Sequence, residues 1–369
     1  MSLLLEPTRV SNDEIPLFEP HPLLWNGHLQ TIVARYLPGP RVRLPSVYHE
    51  IDMPCGTRLS AVQSIPAGWN RGDPAVVLVH GLAGDVRSPY LSRVALKLYR
   101  LGLRVVRMNM RGAGAGAGIS RDFYHGGRSE DPRRVVEWLA AQVPESPIAI
   151  VGFSLGGNLV LKMAGEAAEN PIKGLDCVIA ANPPINLHAC CLHIRKPQGK
   201  VYDQNFIRLL QNEEGRLRRL FPEQHEPLDF SLVENLFDFD NVYTAPRNGF
   251  ADAEDYYARS SSAPLIPRIT LPGLVLHAAD DPFIPVEPFL DVQFPSQLAL
   301  ELNEYGGHLG YMSRANWCGD RRWLDARIVT WLASRWGLEG NRASLRDGDR
   351  PFAQILDGES ETYESQRFQ

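Results

Sequence analysis

AIVGFSLGGNLV, residues 149–160, joins two different periodicities. The run PIAIVGF (147–153) that enters it has the length and composition of a buried strand. The run that leaves it, 155–168, reads as a helix. Between them stand Gly152, Ser154, Gly156 and Gly157. GFSLG (152–156) is therefore a G-x-S-x-G at a strand-to-helix turn, where the serine must take a strained backbone so that its hydroxyl projects above the sheet. Side chains two residues before and two after would collide there, so glycine fits at both positions. The turn also puts Ser154 at a helix N-terminus, where unpaired amides and the positive dipole end favour a developing anion. A serine that merely caps a helix between packing glycines carries the same five letters. The surrounding chain has to separate the two readings.

Working outward, strand and helix alternate. AVVLVH (75–80) and LRVVRMNM (103–110) read as strands. Between them Ser88-Pro89 has the form of an N-cap followed by proline at the first helical position, and Leu91, Val94, Ala95 and Leu98 make one helix face before Gly102 stops it. Residues 129–142 read as a helix with Glu130 and Asp131 in its first turn, followed by the 147–153 strand, the 155–168 helix and the strand LDCVIAA. Such alternation implies right-handed crossovers and a mostly parallel sheet with helices on both faces. The alternation stops near 182. It resumes with the strands GLVLHAA (273–279) and QLALELN (297–303), then a tryptophan-rich helix. The expected organisation is an N-terminal extension packed on the body (1–45), an α/β core (46–182 and 266–338), an inserted helical cap (183–265) and a tail lacking order (339–369).

Composition narrows the function. The 369 residues are 44% hydrophobic and 22% charged, with a net charge of −5. A nucleic-acid partner is not expected, because that needs a basic face. Five cysteines, an odd number without a CxxC, argue against a disulfide framework and fit a reducing compartment. His188, Cys190, Cys191 and His193 are metal-ligating types, but their spacing fits no metal-site pattern, so no metal is expected. No apolar run reaches the length of a membrane span and the N-terminus lacks a signal-peptide core. The expectation is a soluble, cytoplasmic protein without an integral span; peripheral membrane contact and oligomeric state stay open.

A serine hydroxyl is a weak nucleophile until a base takes its proton. LHAADDPFIP (276–285) places Asp280 and Asp281 just past an expected strand, and NEYGGHLGYM (303–312) places His308 in a glycine-rich loop just past the next. Both loops open at the carboxyl edge of a parallel sheet, where such sheets bind ligands. The order Ser154, Asp281, His308 is that of an α/β-hydrolase arrangement. Asp281 is preferred because Phe283, Ile284 and Pro285 fix its loop; Asp280 is the fallback. The oxyanion donors are expected to be the amides of Leu155 and of Leu82 in VHGLAGD (79–85), with the neighbouring His80 a structural side chain.

The chain resembles the YheT-like branch of the α/β-hydrolases, which includes lipase-like ABHD proteins. The resemblance rests on NGHLQTIVARYLP, HGLAGD, MNMRGAGAG, ANPPINLHAC, TAPRNGFADAEDYYARSSS, HAADDPFIP and YGGHLGYM, in that order, from about residue 20 to 336. RGAGAGAG (111–118) departs from it in being alanine-rich. The resemblance implies an α/β-hydrolase fold, no cofactor, and hydrolysis of a small-molecule ester by Ser154, Asp281 and His308. It also implies that an alcohol can replace water as acyl acceptor, an acyltransferase alternative. A non-catalytic binding protein on the same fold is the other alternative. The Phe and Leu residues of 183–265 suggest a cap over an acyl pocket suited to medium chains.

Overall fold

In the strand Ala75–Val79, Val76 and Leu78 enter one apolar core while Val77 and Val79 enter another, and all five residues have no exposed surface. A strand buried on both faces needs a continuous apolar run, which this valine-rich segment supplies. A computed structural model describes residues 17–37, 44–223, 229–314 and 321–338. Among them the strands form one eight-stranded sheet: β1 (Val47–Asp52), β2 (Arg58–Ser64), β3 (Ala75–Val79), β4 (Arg104–Met108), β5 (Ile148–Phe153), β6 (Leu175–Ala181), β7 (Gly273–Ala278) and β8 (Leu298–Asn303). Their order is β1-β2-β4-β3-β5-β6-β7-β8. From β4 to β8 every pairing is parallel; β2 is antiparallel to both β1 and β4.

The helices begin with α1 (Gly27–Tyr36), α2 (Pro89–Arg100), α3 (Glu130–Gln142) and α4 (Leu155–Glu166). Leu91, Val94 and Leu98 of α2 share one core with Leu324, Ile328 and Leu332 of the C-terminal helix Trp323–Arg335. Val135 and Leu139 of α3 and Leu159, Val160 and Met163 of α4 fill the core on the other face. Between β6 and β7 the chain makes a helical cap with α5 (Leu187–Ile194), α6 (Lys200–Leu220) and several short helices, among them Ala253–Ser260. No helix among the described residues is long and apolar enough to cross a membrane.

One local expectation changes, and one residue found where expected takes a further partner. Ser88 occupies the N-cap position of α2, but its hydroxyl makes no capping bond; it accepts from the amide of Asp85 at 3.1 Å and so closes the preceding turn. Asp131 is buried in ion pair with Arg111, beyond any role towards the α3 dipole. The tail expected to lack order, 339–369, lies outside the described residues.

Candidate active site

Ser154 stands between β5 and α4 with φ 51° and ψ −124°, a left-handed backbone that a non-glycine residue adopts only under constraint. Its amide donates to the Ala181 carbonyl of β6 at 2.8 Å, which pins the turn. A Cβ at Gly152 would strike the Gly156 carbonyl, and one at Gly156 would strike the His80 carbonyl at the end of β3. The two glycines thus let the turn close on itself and on the neighbouring strand. A Cβ on Gly81 would lie 2.9 Å from that of Ser154, so the loop after β3 also approaches the serine at backbone distance.

Asp281 follows β7 and His308 follows β8. His308 Nε2 is 2.9 Å from Ser154 Oγ and its Nδ1 is 2.8 Å from Asp281 Oδ2. The sheet thus brings together three residues that are 154 and 27 positions apart in the chain. The Asp281 side chain is fully buried. Burial alone would raise its pKa, but the charge of His308 and the hydrogen bonds it accepts from His308 and from the amide of Phe283 (2.8 Å) hold the carboxyl below its ordinary range. Asn182 Nδ2 donates to the same Oδ2 at 2.8 Å and to the Gly307 carbonyl at 3.2 Å. Asp280 does not reach His308's ring; its Oδ1 accepts from the Gly307 amide at 2.8 Å and so shapes the histidine loop.

The loop after β3 commits two of its amides to tyrosine hydroxyls and leaves the one between them uncommitted. Gly81 N donates to Tyr90 OH at 2.8 Å and Ala83 N to Tyr124 OH at 2.7 Å. Among the described residues the amide of Leu82 between them, like that of Leu155 at the start of α4, has no protein acceptor. His80 is buried, with Nδ1 2.7 Å from the Gly81 carbonyl and Nε2 accepting from the Met110 amide at 2.9 Å. Burial pushes its pKa down to about 4, so it is a neutral strut.

Above Ser154 and His308 lies a cavity of about 110 Å³ whose surface is mostly apolar. Leu82, Leu155 and Phe283 line it from the body and Ile194, Phe206 and Leu210 from the cap. Cys190 and Cys191 also line it, and burial raises both thiols above their ordinary range.

Sequence reading missed Thr31, Asn182, Tyr124 and Asp280's supporting position. Thr31 and Asn182 both sit inside blocks that carry the resemblance, NGHLQTIVARYLP and ANPPINLHAC, and that was the available signal.

The family model described as the α/β-hydrolase fold matches residues 74–315. YheT of Escherichia coli (strain K12), by its name an esterase candidate, is 31% identical over 314 residues, which is 84% of this chain and 91% of YheT. A monoacylglycerol lipase of Saccharomyces cerevisiae is 28% identical over 270 residues; these are 70% of this chain but only 59% of that lipase. A solved esterase structure from Pyrococcus furiosus aligns with a TM-score of 0.53 at 16% identity, over 81% of this chain and 99% of that one, a likeness of fold.

Proposed function

The chain belongs to the α/β-hydrolase fold family, and from that membership we propose that it hydrolyses carboxylic esters through a serine-bound acyl intermediate. Ser154 Oγ attacks the ester carbonyl while His308 Nε2 takes its proton. Asp281 accepts from Nδ1, which fixes the tautomer and stabilises the imidazolium that forms. The amides of Leu82 and Leu155 donate to the oxyanion, and removing such a donor costs about 3 kcal/mol of barrier. His308 then gives its proton to the leaving alcohol. Water enters and loses a proton to the same imidazole as it attacks the acyl carbon; the bond to Ser154 Oγ then breaks, Oγ takes that proton back and the acid leaves.

What carries this reading is the unbroken line Ser154–His308–Asp281 at 2.9 and 2.8 Å, next to two uncommitted amides. The substrate class follows from the cavity. Its apolar lining suits an acyl chain, and relatives are named for acting on acyl esters.

The test is turnover of p-nitrophenyl esters by purified protein and by Ser154→Ala. The expected loss is at least about a thousandfold, because the three residues act as a unit. Near-normal turnover by Ser154→Ala, or no labelling of Ser154 by a fluorophosphonate, overturns the assignment. A chain-length series in which acetate is fastest overturns the acyl-pocket reading alone.

A further inference from the structure

The cavity over Ser154 is lined by hydrocarbon on most sides, yet its cap side carries a carboxylate. Asp240 opens a π-helical turn, Asp240–Thr244, and lines the same cavity as Ser154 and His308. Such turns are uncommon and concentrate at functional sites. Asp240 is 7% exposed. Its Oδ1 accepts from Thr244 Oγ1 at 2.6 Å and its Oδ2 from Tyr257 OH at 2.7 Å. Among the described residues no lysine, arginine or histidine forms an ion pair with it.

This arrangement is costly if it is only structural. A buried carboxylate without a cation loses its hydration and recovers little from two neutral hydroxyls. An ionised carboxyl offers about four acceptor positions, and two hydroxyls leave about half of them uncommitted. Burial accordingly raises its pKa to about 6. A plain hydrocarbon chain in the cavity would leave those positions unsatisfied. Beside Asp240 the cavity is also lined by Tyr256, whose OH accepts from the Gly126 amide at 2.9 Å and whose own proton has no acceptor among the described residues. Acceptor and donor together match an alcohol, which has one proton to give and lone pairs to offer. An ammonium group fits less well, since it brings three protons and no acceptor for the tyrosine.

We propose that Asp240 and Tyr256 determine specificity by binding a free hydroxyl of the substrate, so that hydroxylated esters are preferred to esters of unsubstituted hydrocarbon. The inference rests on the ester-hydrolase reading of Ser154. The hydroxyl can belong to the acyl chain or to the alcohol portion, and two matched pairs separate these sources. One pair is ethyl 8-hydroxyoctanoate against ethyl octanoate. The other is glyceryl monooctanoate against propyl octanoate.

The measurement is the ratio of kcat/KM within each pair, for the unaltered protein, Asp240→Leu and the near-isosteric Asp240→Asn. A site built to hydrogen-bond a hydroxyl rejects the analogue lacking it, so the unaltered protein is expected to favour the hydroxylated member of one pair by roughly tenfold or more. The pair that responds identifies which side of the ester the cavity holds. In Asp240→Leu the ratio should fall to one or invert, and in Asp240→Asn it should fall part of the way. A ratio is insensitive to the fraction of folded protein, and Asp240→Asn keeps the test alive if the leucine variant does not fold. Equal rates within both pairs for the unaltered protein, or a preference that both variants keep, overturns this proposal and leaves the ester-hydrolase reading standing. Failure to turn over any of the four esters, with no fluorophosphonate labelling of Ser154, removes both.

Discussion

Thr31 Oγ1 accepts the backbone N–H of His308 at 2.8 Å, across 277 positions of the chain. The same hydroxyl donates to the Gly27 carbonyl at 2.6 Å, so α1 is fastened to the loop that holds the imidazole. That loop is under backbone constraint, with Gly307 and Leu309 on either side of His308 at φ 56°. Gln30 adds a second fastening: its side chain donates to the Met312 carbonyl at 3.1 Å and accepts from the Met312 amide at 2.6 Å. Thr31 lies outside the stretch matched by the family model, residues 74–315.

Thr31→Val keeps the shape and removes the acceptor. The His308 amide is then left without a partner, which costs about 1–2 kcal/mol, or roughly tenfold in rate if the cost falls on the catalytic geometry. The expectation is a lower kcat for p-nitrophenyl ester hydrolysis and slower fluorophosphonate labelling, with a thermal midpoint shifted by only a few degrees. Labelling at the unaltered rate would show that the histidine loop holds its position without α1.

The two adjacent aspartates predict opposite outcomes. Asp281→Asn replaces an ionised acceptor at His308 Nδ1 with an amide and removes the partner of Asn182; kcat should fall by roughly a thousandfold or more. Asp280→Asn keeps an oxygen for the Gly307 amide and leaves the imidazole's partner in place, so the fall should stay within about tenfold. Steady-state kinetics on one ester decide it. Equal losses would mean that the carboxylates share the role.

The sheet was legible where local sequence and tertiary role coincide. β3, β5 and β6 are buried on both faces, so their apolar runs announce them, and the elbow announces itself because its glycines answer a purely local crowding. β1 and β2 gave no such signal. β1 is an edge strand with one buried residue, Ile51, and its letters VYHEID hold no continuous apolar run. The turn that joins them, through Gly56 at φ 82°, was the available clue. Ser154, Asp281 and His308 could be named because each follows a readable strand. Thr31, Asn182 and Tyr124 could not, because hydrogen bonds between distant segments leave no period in the sequence. Ser88 and Asp131 show the converse: residues placed correctly by a local rule take partners that the rule does not contain.

Away from the site, acid stability should turn on Asp325. It is fully buried in the C-terminal helix and accepts from Arg93 Nε of α2 at 2.7 Å, with Lys97 Nζ at 3.3 Å. Burial alone would raise its pKa, but Arg93 and Lys97 outweigh it and hold the carboxyl down at about 2, against an ordinary 3.8. A depressed carboxylate contributes stability that is present above its unfolded pKa and is lost as pH falls through the folded one, here between about 4 and about 2. Asp325→Asn removes the buried carboxylate that Arg93 and Lys97 share and should cost about 2 kcal/mol or more at neutral pH. Urea unfolding at a series of pH values should give a lower plateau and a shallower decline over that acid window. A curve parallel to that of the unaltered protein would place the acid sensitivity elsewhere.

Tyr124 connects the cap to the loop proposed to hold the oxyanion. Its hydroxyl accepts from the Ala83 amide at 2.7 Å and donates to Glu213 Oε2 of α6 at 2.9 Å. Leu82, the proposed donor, is the residue before Ala83, so an error in one amide tilts the other. Tyr124→Phe keeps the ring stacked on Phe123 and removes only the hydroxyl. An oxyanion donor acts more strongly in the transition state than on bound ester, so kcat should fall by roughly tenfold with KM nearly unchanged. Glu213 supplies a check by pH. Burial pushes its pKa up to about 7 from 4.5. A raised carboxyl favours the folded state while protonated, a contribution present below about 4.5 and lost as pH rises through about 7. Glu213→Gln cannot ionise, so its unfolding free energy should decline less than that of the unaltered protein between those values. If Tyr124→Phe raises KM and leaves kcat alone, the tyrosine shapes the cavity and the oxyanion loop stands without it.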